Sequence, residues 1–285
     1  MATTDRRGTG DWDHWPFPME KIYEAAGDWE QQLRGVEKPW LCWNMSPRWS
    51  LVQQNLVRSV GWTPVVGSDP RVERPPLATG SIYIDFNQRF QFGEMRFHFV
   101  IEWAFLFAPR LAFWHSDLLC RLPIMQQLVQ TFESLQDGEM AAVKEERGWK
   151  ERLKPRSKRY WELVGCTTRG ASRSQFEKGS GWWRNFAHHP NCKDANERTK
   201  RETYFYEFGV GIMYWKQNYE GKVREIAQPP LDEGHCTGIN RKNYVHLTQD
   251  KGRTQKYAEL DLNFDIEEVV SRLEISQFLP PLQHA

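Results

Sequence analysis

The sequence predicts an α/β fold built on a largely parallel sheet, and three observations carry that expectation. Short apolar runs recur through the first half, each closed by polar residues: Trp40–Trp43, Thr63–Val66, Ser81–Asp85 and Leu111–Trp114. Runs of that length, bounded by turn residues, fit strands buried on both faces. A helical stripe, Leu51, Val52, Gln54-Asn55, Leu56 and Val60 with Gly61 at the stop position, separates the first two runs. Strand, helix and strand at that spacing form a βαβ unit and therefore a parallel pair. The polar ends Asn44, Asp85 and His115–Asp117 are then expected along one sheet edge, where open α/β sheets place ligands.

Taken in order, residues 1–16 are polar and Gly/Asp-rich and read as a flexible tail. Residues 17–35 are dominated by helix formers, one helix or two with the break at Gly27-Asp28. The segment 94–107 reads as helical before the strand Leu111–Trp114, and Pro123 opens a further helix with Ile124, Leu128, Val129, Phe132 and Leu135 inward. Glu139–Val143 is the next strand. Beyond it the character changes: 144–158 is charge-rich, and Gly165–Gly181 reads as loop or edge strand. Glu197–Tyr219 carries Tyr204, Phe208, Ile212 and Trp215 at helical intervals. Lys222–Ile226 is a short strand, Glu233–Gly238 a glycine-bounded polar turn, and Ile266–Leu273 a last helix. Two halves of one domain follow, 36–143 and 144–275, with a tail at 276–285.

Composition narrows the classes. A formal net charge of +1 provides no global field for nucleic acid. Hydrophobic content of 40% and charged content of 26% are those of an ordinary globular protein. Five cysteines without C-x-x-C or zinc spacing fit reduced thiols in a cytoplasmic setting. No apolar signal segment follows the N-terminus, and the most apolar stretch, 97–114, is interrupted by Glu102 and Pro109-Arg110, so no membrane partner is expected. Fourteen tryptophans are unusual. Their flat faces suit core packing and also stacking on sugars or bases.

The chemistry is concentrated in Phe113-Trp-His-Ser-Asp-Leu-Leu119. On extended backbone, residues two apart point to the same side. His115 and Asp117 would then aim an imidazole and a carboxylate together from one strand end, a plausible pair of ligands for a divalent cation. The alternative is a strand that ends in a polar turn.

The order of these features resembles glycosyltransferases of the GT-A fold across roughly residues 36–250. There, a nucleotide-binding α/β half ends at an Asp-x-Asp triplet that holds a divalent metal on a sugar-nucleotide diphosphate, and a late histidine often completes the coordination. The resemblance makes 36–143 the nucleotide-sugar half and 144–275 the acceptor half. It implies His115, Asp117 and His235 as metal ligands. His115 replaces the first aspartate, and imidazole favours manganese over magnesium; Asp117 binding alone, or loss of the metal, are the other outcomes. Donor-site candidates are Trp43, Asn44, Asp85, Arg89 and Arg96, and Gly179-Ser-Gly-Trp-Trp-Arg184 offers Trp182, Trp183 and Arg184 as an acceptor platform. Glu177, Asp232 and Glu233 are the candidate bases beside Asp117. The implied activity is sugar transfer from a nucleotide diphosphate sugar to a hydroxyl acceptor, polymers such as hydroxylated nucleic acid included. The competing class is a non-catalytic nucleotide-sugar or carbohydrate-binding module.

Overall fold

The computed structural model describes residues 15, 17–93, 95–146, 153, 156, 158–235 and 266–280. The architecture is α/β, with seven strands in the order β3-β2-β1-β4-β6-β5-β7 and helices flanking them. The strands are β1 (Pro39–Asn44), β2 (Thr63–Ser68), β3 (Ile82–Tyr83), β4 (Arg110–Trp114), β5 (Glu139–Lys144), β6 (Tyr160–Thr168) and β7 (Lys222–Ile226). No described helix is long and apolar enough to cross a membrane. Two compact units interleave along the chain rather than dividing it into successive halves.

One unit takes the described residues of Gly35–Arg96, Ala112–Ser134 and Ala227–Ala285. Its strands β3, β2, β1 and β4 are all parallel, with Trp40 opposite both Pro64 and Ala112. Helix α2 (Pro47–Ser59) makes the crossover from β1 to β2. It begins where Ser46 accepts from the Trp49 N–H and Pro47 fills the first turn. Its buried residues are Trp49, Ser50, Val52, Gln53, Gln54, Leu56 and Val57, so Val52, Gln54 and Leu56 of the expected stripe are buried while Leu51, Asn55 and Val60 lie at its margin. Trp40, Trp62, Trp114 and Phe132 pack edge-on or tilted, with ring centroids 5.2–5.9 Å apart. Phe132 comes from α5 (Leu122–Glu133).

The other unit takes the described residues of Met1–Arg34, Phe97–Leu111 and Leu135–Ile226. Here β5 pairs antiparallel with β6 and parallel with β7, with a register shift between Ala142 and Val143. Helix α1 (Met19–Gln32) runs through Gly27-Asp28 without a break, because Ala25, Ala26 and Trp29 bury one continuous face. Trp15, half-buried, packs against the core rather than standing in a loose tail: its ring lies 5.5 Å from Trp183 and 4.7 Å from His189. Residues 1–14 lie outside the described residues. The helical stretch before β4 is split into α3 (Phe97–Glu102) and α4 (Ala104–Phe107).

Most of Gly165–Gly181, expected as loop or edge strand, is an interior strand followed by a helix, and only 178–181 are turn. Residues 160–168 form β6, and α6 (Arg169–Glu177) follows at once. Burial of nearly the whole of β6 overrides its glycine and threonine content. The stretch expected as one helix over Glu197–Tyr219 is two, α7 (Ala195–Glu202) and α8 (Val210–Asn218). Gly209 breaks it at φ +74°, and a Cβ there would fall 1.8 Å from the Tyr160 carbonyl oxygen.

Candidate metal centre

The order of the four parallel strands reverses between β1 and β4. The chain steps outward from β1 to β2 and β3, then returns to the other side of β1 for β4. Ligands of open α/β sheets bind outside the carboxyl ends of the strands at such a switch. Beyond the carboxyl end of β4 stand His115, Ser116 and Asp117.

His115 and Asp117 meet through a turn, not through strand alternation. The strand ends at Trp114, and the Leu118 N–H donates to the His115 carbonyl over 3.1 Å. Gln53, fully buried on α2, donates from Nε2 to the carbonyls of His115 at 2.9 Å and Leu118 at 2.8 Å. That one amide fixes both ends of the turn. Asp117 Oδ1 accepts from His115 Nδ1, and His235 Nε2 lies 3.2 Å from the same oxygen. The two imidazoles are 5.7 Å apart and nearly perpendicular, at 89°.

His235 arrives on a different segment. After the short helix α9 (Pro229–Asp232), the chain pairs with the exit of the triplet: Leu118 and His235 form an antiparallel bridge, and the Leu119 N–H donates to the Gly234 carbonyl over 3.0 Å. One ligand atom from each of His115, Asp117 and His235 lies within 4.8 Å of the others, so the group could hold a metal ion. Burial works against the charge on Asp117, but the two imidazoles outweigh it and hold its carboxyl well below the usual range. The donor set of two nitrogens and one carboxylate suits manganese, iron or zinc better than magnesium.

No family model, no curated protein and no solved structure matches this chain.

Several candidates of the sequence take other roles. Trp43 is 2% exposed, packed on Phe86 and over Gly67, whose absent Cβ would fall 2.6 Å from the ring; it cannot stack on a base. Asn44 is fully buried and ties strand ends together, its amide donating to Ser68 Oγ at 3.0 Å and to the Glu73 carbonyl at 2.8 Å. Asp85 is exposed and accepts from the Asn87 N–H within a turn at the carboxyl side of β3. Arg89 is exposed and Arg96 half-buried. Trp182 and Trp183 are 0% and 1% exposed, so the acceptor platform is core; bulky aromatic surface wins burial over ligand contact here. Arg184 lies over Tyr206 at 5.1 Å.

Of the carboxylates considered as bases, Glu177 is exposed at the end of α6. Asp232 is half-buried and accepts from Gln228 Nε2 at 3.1 Å. Glu233 is committed to Arg121, which holds its carboxyl below the ordinary value. A carboxylate that an arginine keeps ionised is a weaker proton acceptor, which counts against Glu233 as the base.

Gln53 and Arg121 escaped the reading of the sequence, whereas Gly234 lies in the glycine-bounded turn expected there. Gln53 has a visible signal, a polar residue at the i+4 position of the stripe Trp49–Leu56. Arg121 has none, because its partners lie 112 and 151 residues away.

Proposed function

We propose that the protein is a metal-dependent glycosyltransferase, with His115, Asp117 and His235 as the protein ligands of a divalent cation. Convergence of two imidazoles and one carboxylate at the switch point of a parallel sheet supports this reading most strongly. When bound, the cation supplies positive charge against the diphosphate of a sugar nucleotide as Lewis acid and template.

The chain's residues perform the rest. Asp117 is the sole anionic ligand of the three, so a divalent cation there keeps net positive charge for a diphosphate. Its depressed pKa keeps it an anion throughout the neutral range. Gln53 holds the turn rigid, and the fully buried Asn44 closes the neighbouring strand ends. Asp85 is exposed beside that edge and available to a nucleoside hydroxyl. Of the two base candidates in this unit, Asp232 is the one that no arginine pairs among the described residues, and it takes the acceptor proton if the reaction inverts.

A second reading has a specific observation behind it. Two histidines and one aspartate are also the donor set of mononuclear non-haem iron centres. The parallel sheet and its switch point favour a phosphate ligand instead. A non-catalytic sugar-nucleotide binder shares the geometry and differs only in turnover.

One experiment separates the three. Metal is titrated calorimetrically, manganese and ferrous iron in parallel, with and without a panel of uridine and guanosine diphosphate sugars, followed by assay of sugar-nucleotide hydrolysis. The transferase reading expects synergy between manganese and one donor, with metal-stimulated release of nucleoside diphosphate. Synergy without release indicates the binding module. Iron binding that no sugar nucleotide strengthens ends the transferase reading.

A further inference from the structure

His235 owes its position to two features outside the cluster. The first is Gly234, where a Cβ would fall 1.8 Å from the Leu119 carbonyl oxygen. Only glycine lets the two backbones approach closely enough for the Leu119–Gly234 hydrogen bond and the Leu118–His235 bridge. The second is Arg121. Its Nε donates to Glu233 Oε2 at 3.0 Å and its Nη2 to Glu233 Oε1 at 2.6 Å. The same Nη2 donates to the Arg272 carbonyl at 2.7 Å, and Nη1 lies 3.3 Å from Glu274 Oε1. Arg272 answers by donating to the Glu233 carbonyl over 3.0 Å.

The guanidinium thus ties the segment two residues before His235 to the end of α10 (Ile266–Arg272). That helix is anchored in the unit by the buried side chains of Ile266, Val269 and Val270. Arg121 leaves the same chain segment that carries His115 and Asp117. One residue therefore references the third imidazole to the first two ligands. A fork-to-fork ion pair fixes direction as well as distance, and a lysine would keep the charge without the direction.

We propose that the Arg121–Glu233 pair, seated by Gly234, is the positioning element of the centre: it docks His235 on Asp117 and so sets how tightly the site holds a divalent cation. The proposal rests on the metal reading given above. Neither residue touches the cation. The pair is one-third to two-fifths exposed, so it is a modest, tunable contribution rather than a buried keystone.

The test uses the full chain and manganese alone as probe. Calorimetric titration compares wild type, Arg121→Ala, Arg121→Lys and the swap Arg121→Glu/Glu233→Arg, with Arg121→Ala repeated in a His235→Ala background. Arg121→Ala should weaken manganese binding about twofold to fivefold, the range of an exposed ion pair. Arg121→Lys should recover only part of that loss, and the swap more than the lysine. In the His235→Ala background, Arg121→Ala should change nothing. Equal losses in both backgrounds, or none in the first, overturn the proposal. Gly234→Ala should weaken binding more than Arg121→Ala does. Imidazole NMR of the metal-free protein decides the point independently. The His235 Nε2 proton, held on Asp117, should be downfield and protected in wild type and lose protection in Arg121→Ala while the thermal midpoint stays within a few degrees. Its persistence in the variant, or its absence from wild type, overturns the proposal. A wild type that takes up no manganese sinks the metal reading alone, and the NMR arm still decides whether Arg121 docks His235.

Discussion

Two carboxylates, one in each unit, sit at the centre of histidine-containing clusters, and they are finished differently. Glu102, at the end of α3, is sealed: its side chain is 1% exposed and that of His189 is 0% exposed. Its Oε2 accepts from the backbone N–H groups of Trp182 and Trp183, and His189 Nε2 stands 3.5 Å from Oε1. His189 Nδ1 accepts from the Asn191 N–H, and Trp15 covers the imidazole. Asp117 keeps 15% of its side-chain surface and His115 18%, and Asp117 Oδ1 faces both imidazoles. The same residue types make a staple in one unit and a candidate centre in the other. Backbone donors and complete burial leave no room for a ligand; imidazoles and residual exposure do.

The comparison breaks first if Glu102 is dispensable. Glu102→Ala removes the acceptor for two buried N–H groups and leaves His189 without its carboxylate. Losing one partner of a buried pair costs about 3–5 kcal/mol. The denaturant midpoint should fall accordingly with an unchanged slope, while manganese affinity of the folded fraction stays at the wild-type value. A loss below about 1 kcal/mol would mean that the cluster is not a staple. Trp183→Ala, at a side chain 1% exposed, should cost a similar or slightly smaller amount, about 3–5 kcal/mol for a large aromatic truncated in a core. Any sugar-transfer activity per folded molecule should remain unchanged, which a sugar-stacking platform would not allow.

Asp117→Ala probes the other cluster and is expected to act on ligand linkage rather than on the fold. In wild type, a metal at a hundred times its dissociation constant should stabilise the native state by about 2.7 kcal/mol. Asp117→Ala should abolish that increment, read as a metal-dependent thermal shift that vanishes. His115→Ala should reduce it less, since the anionic ligand stays. If Asp117→Ala retains the full shift, the triplet is a polar strand terminus and both clusters are structural.

These two clusters also mark the limit of what the sequence discloses. The parallel strands of one unit were legible because buried strands write themselves as continuous apolar runs, and Trp40–Trp43, Thr63–Val66 and Leu111–Trp114 are such runs. His115, Asp117 and His235 could be grouped by their order along the chain, and they do come together, yet by a turn that Gln53 closes rather than by alternation. The Glu102 staple was not legible, because its partners are 80 and 81 residues away and its carboxylate interrupts an apolar stretch as any surface glutamate would. Trp182 and Trp183 misled because glycines beside aromatics suggest a mobile loop. Here Gly181 is required instead by the carboxylate itself, since a Cβ at that position would fall 2.3 Å from Glu102 Oε1.

A third carboxylate separates exposure from saturation and has the smallest expected effect. Glu225 on β7 keeps 35% of its side-chain surface, more than Asp117, but its oxygens are filled. Oε1 accepts from Tyr160 Oη and Lys216 Nζ, both at 2.8 Å, and Oε2 accepts from Lys144 Nζ at 2.8 Å. Burial opposes its charge, but these donors outweigh it and bring its pKa down to about 2 from 4.5. A carboxyl whose folded pKa lies below its unfolded one stabilises the native state above the unfolded value and loses that contribution as pH falls through the folded value. The window is therefore about pH 4.5 down to about 2. Solvent screening at one-third exposure limits the contribution to about 1 kcal/mol or less. Glu225→Gln should flatten the acid limb of the stability curve within that window by no more than this amount, and added salt should shrink the difference between wild type and variant. It should leave manganese binding untouched. A change in metal affinity on Glu225→Gln would show that exposure alone governs which carboxylate takes a cation, and would remove the contrast between a carboxylate filled by lysines and a tyrosine and one faced by imidazoles.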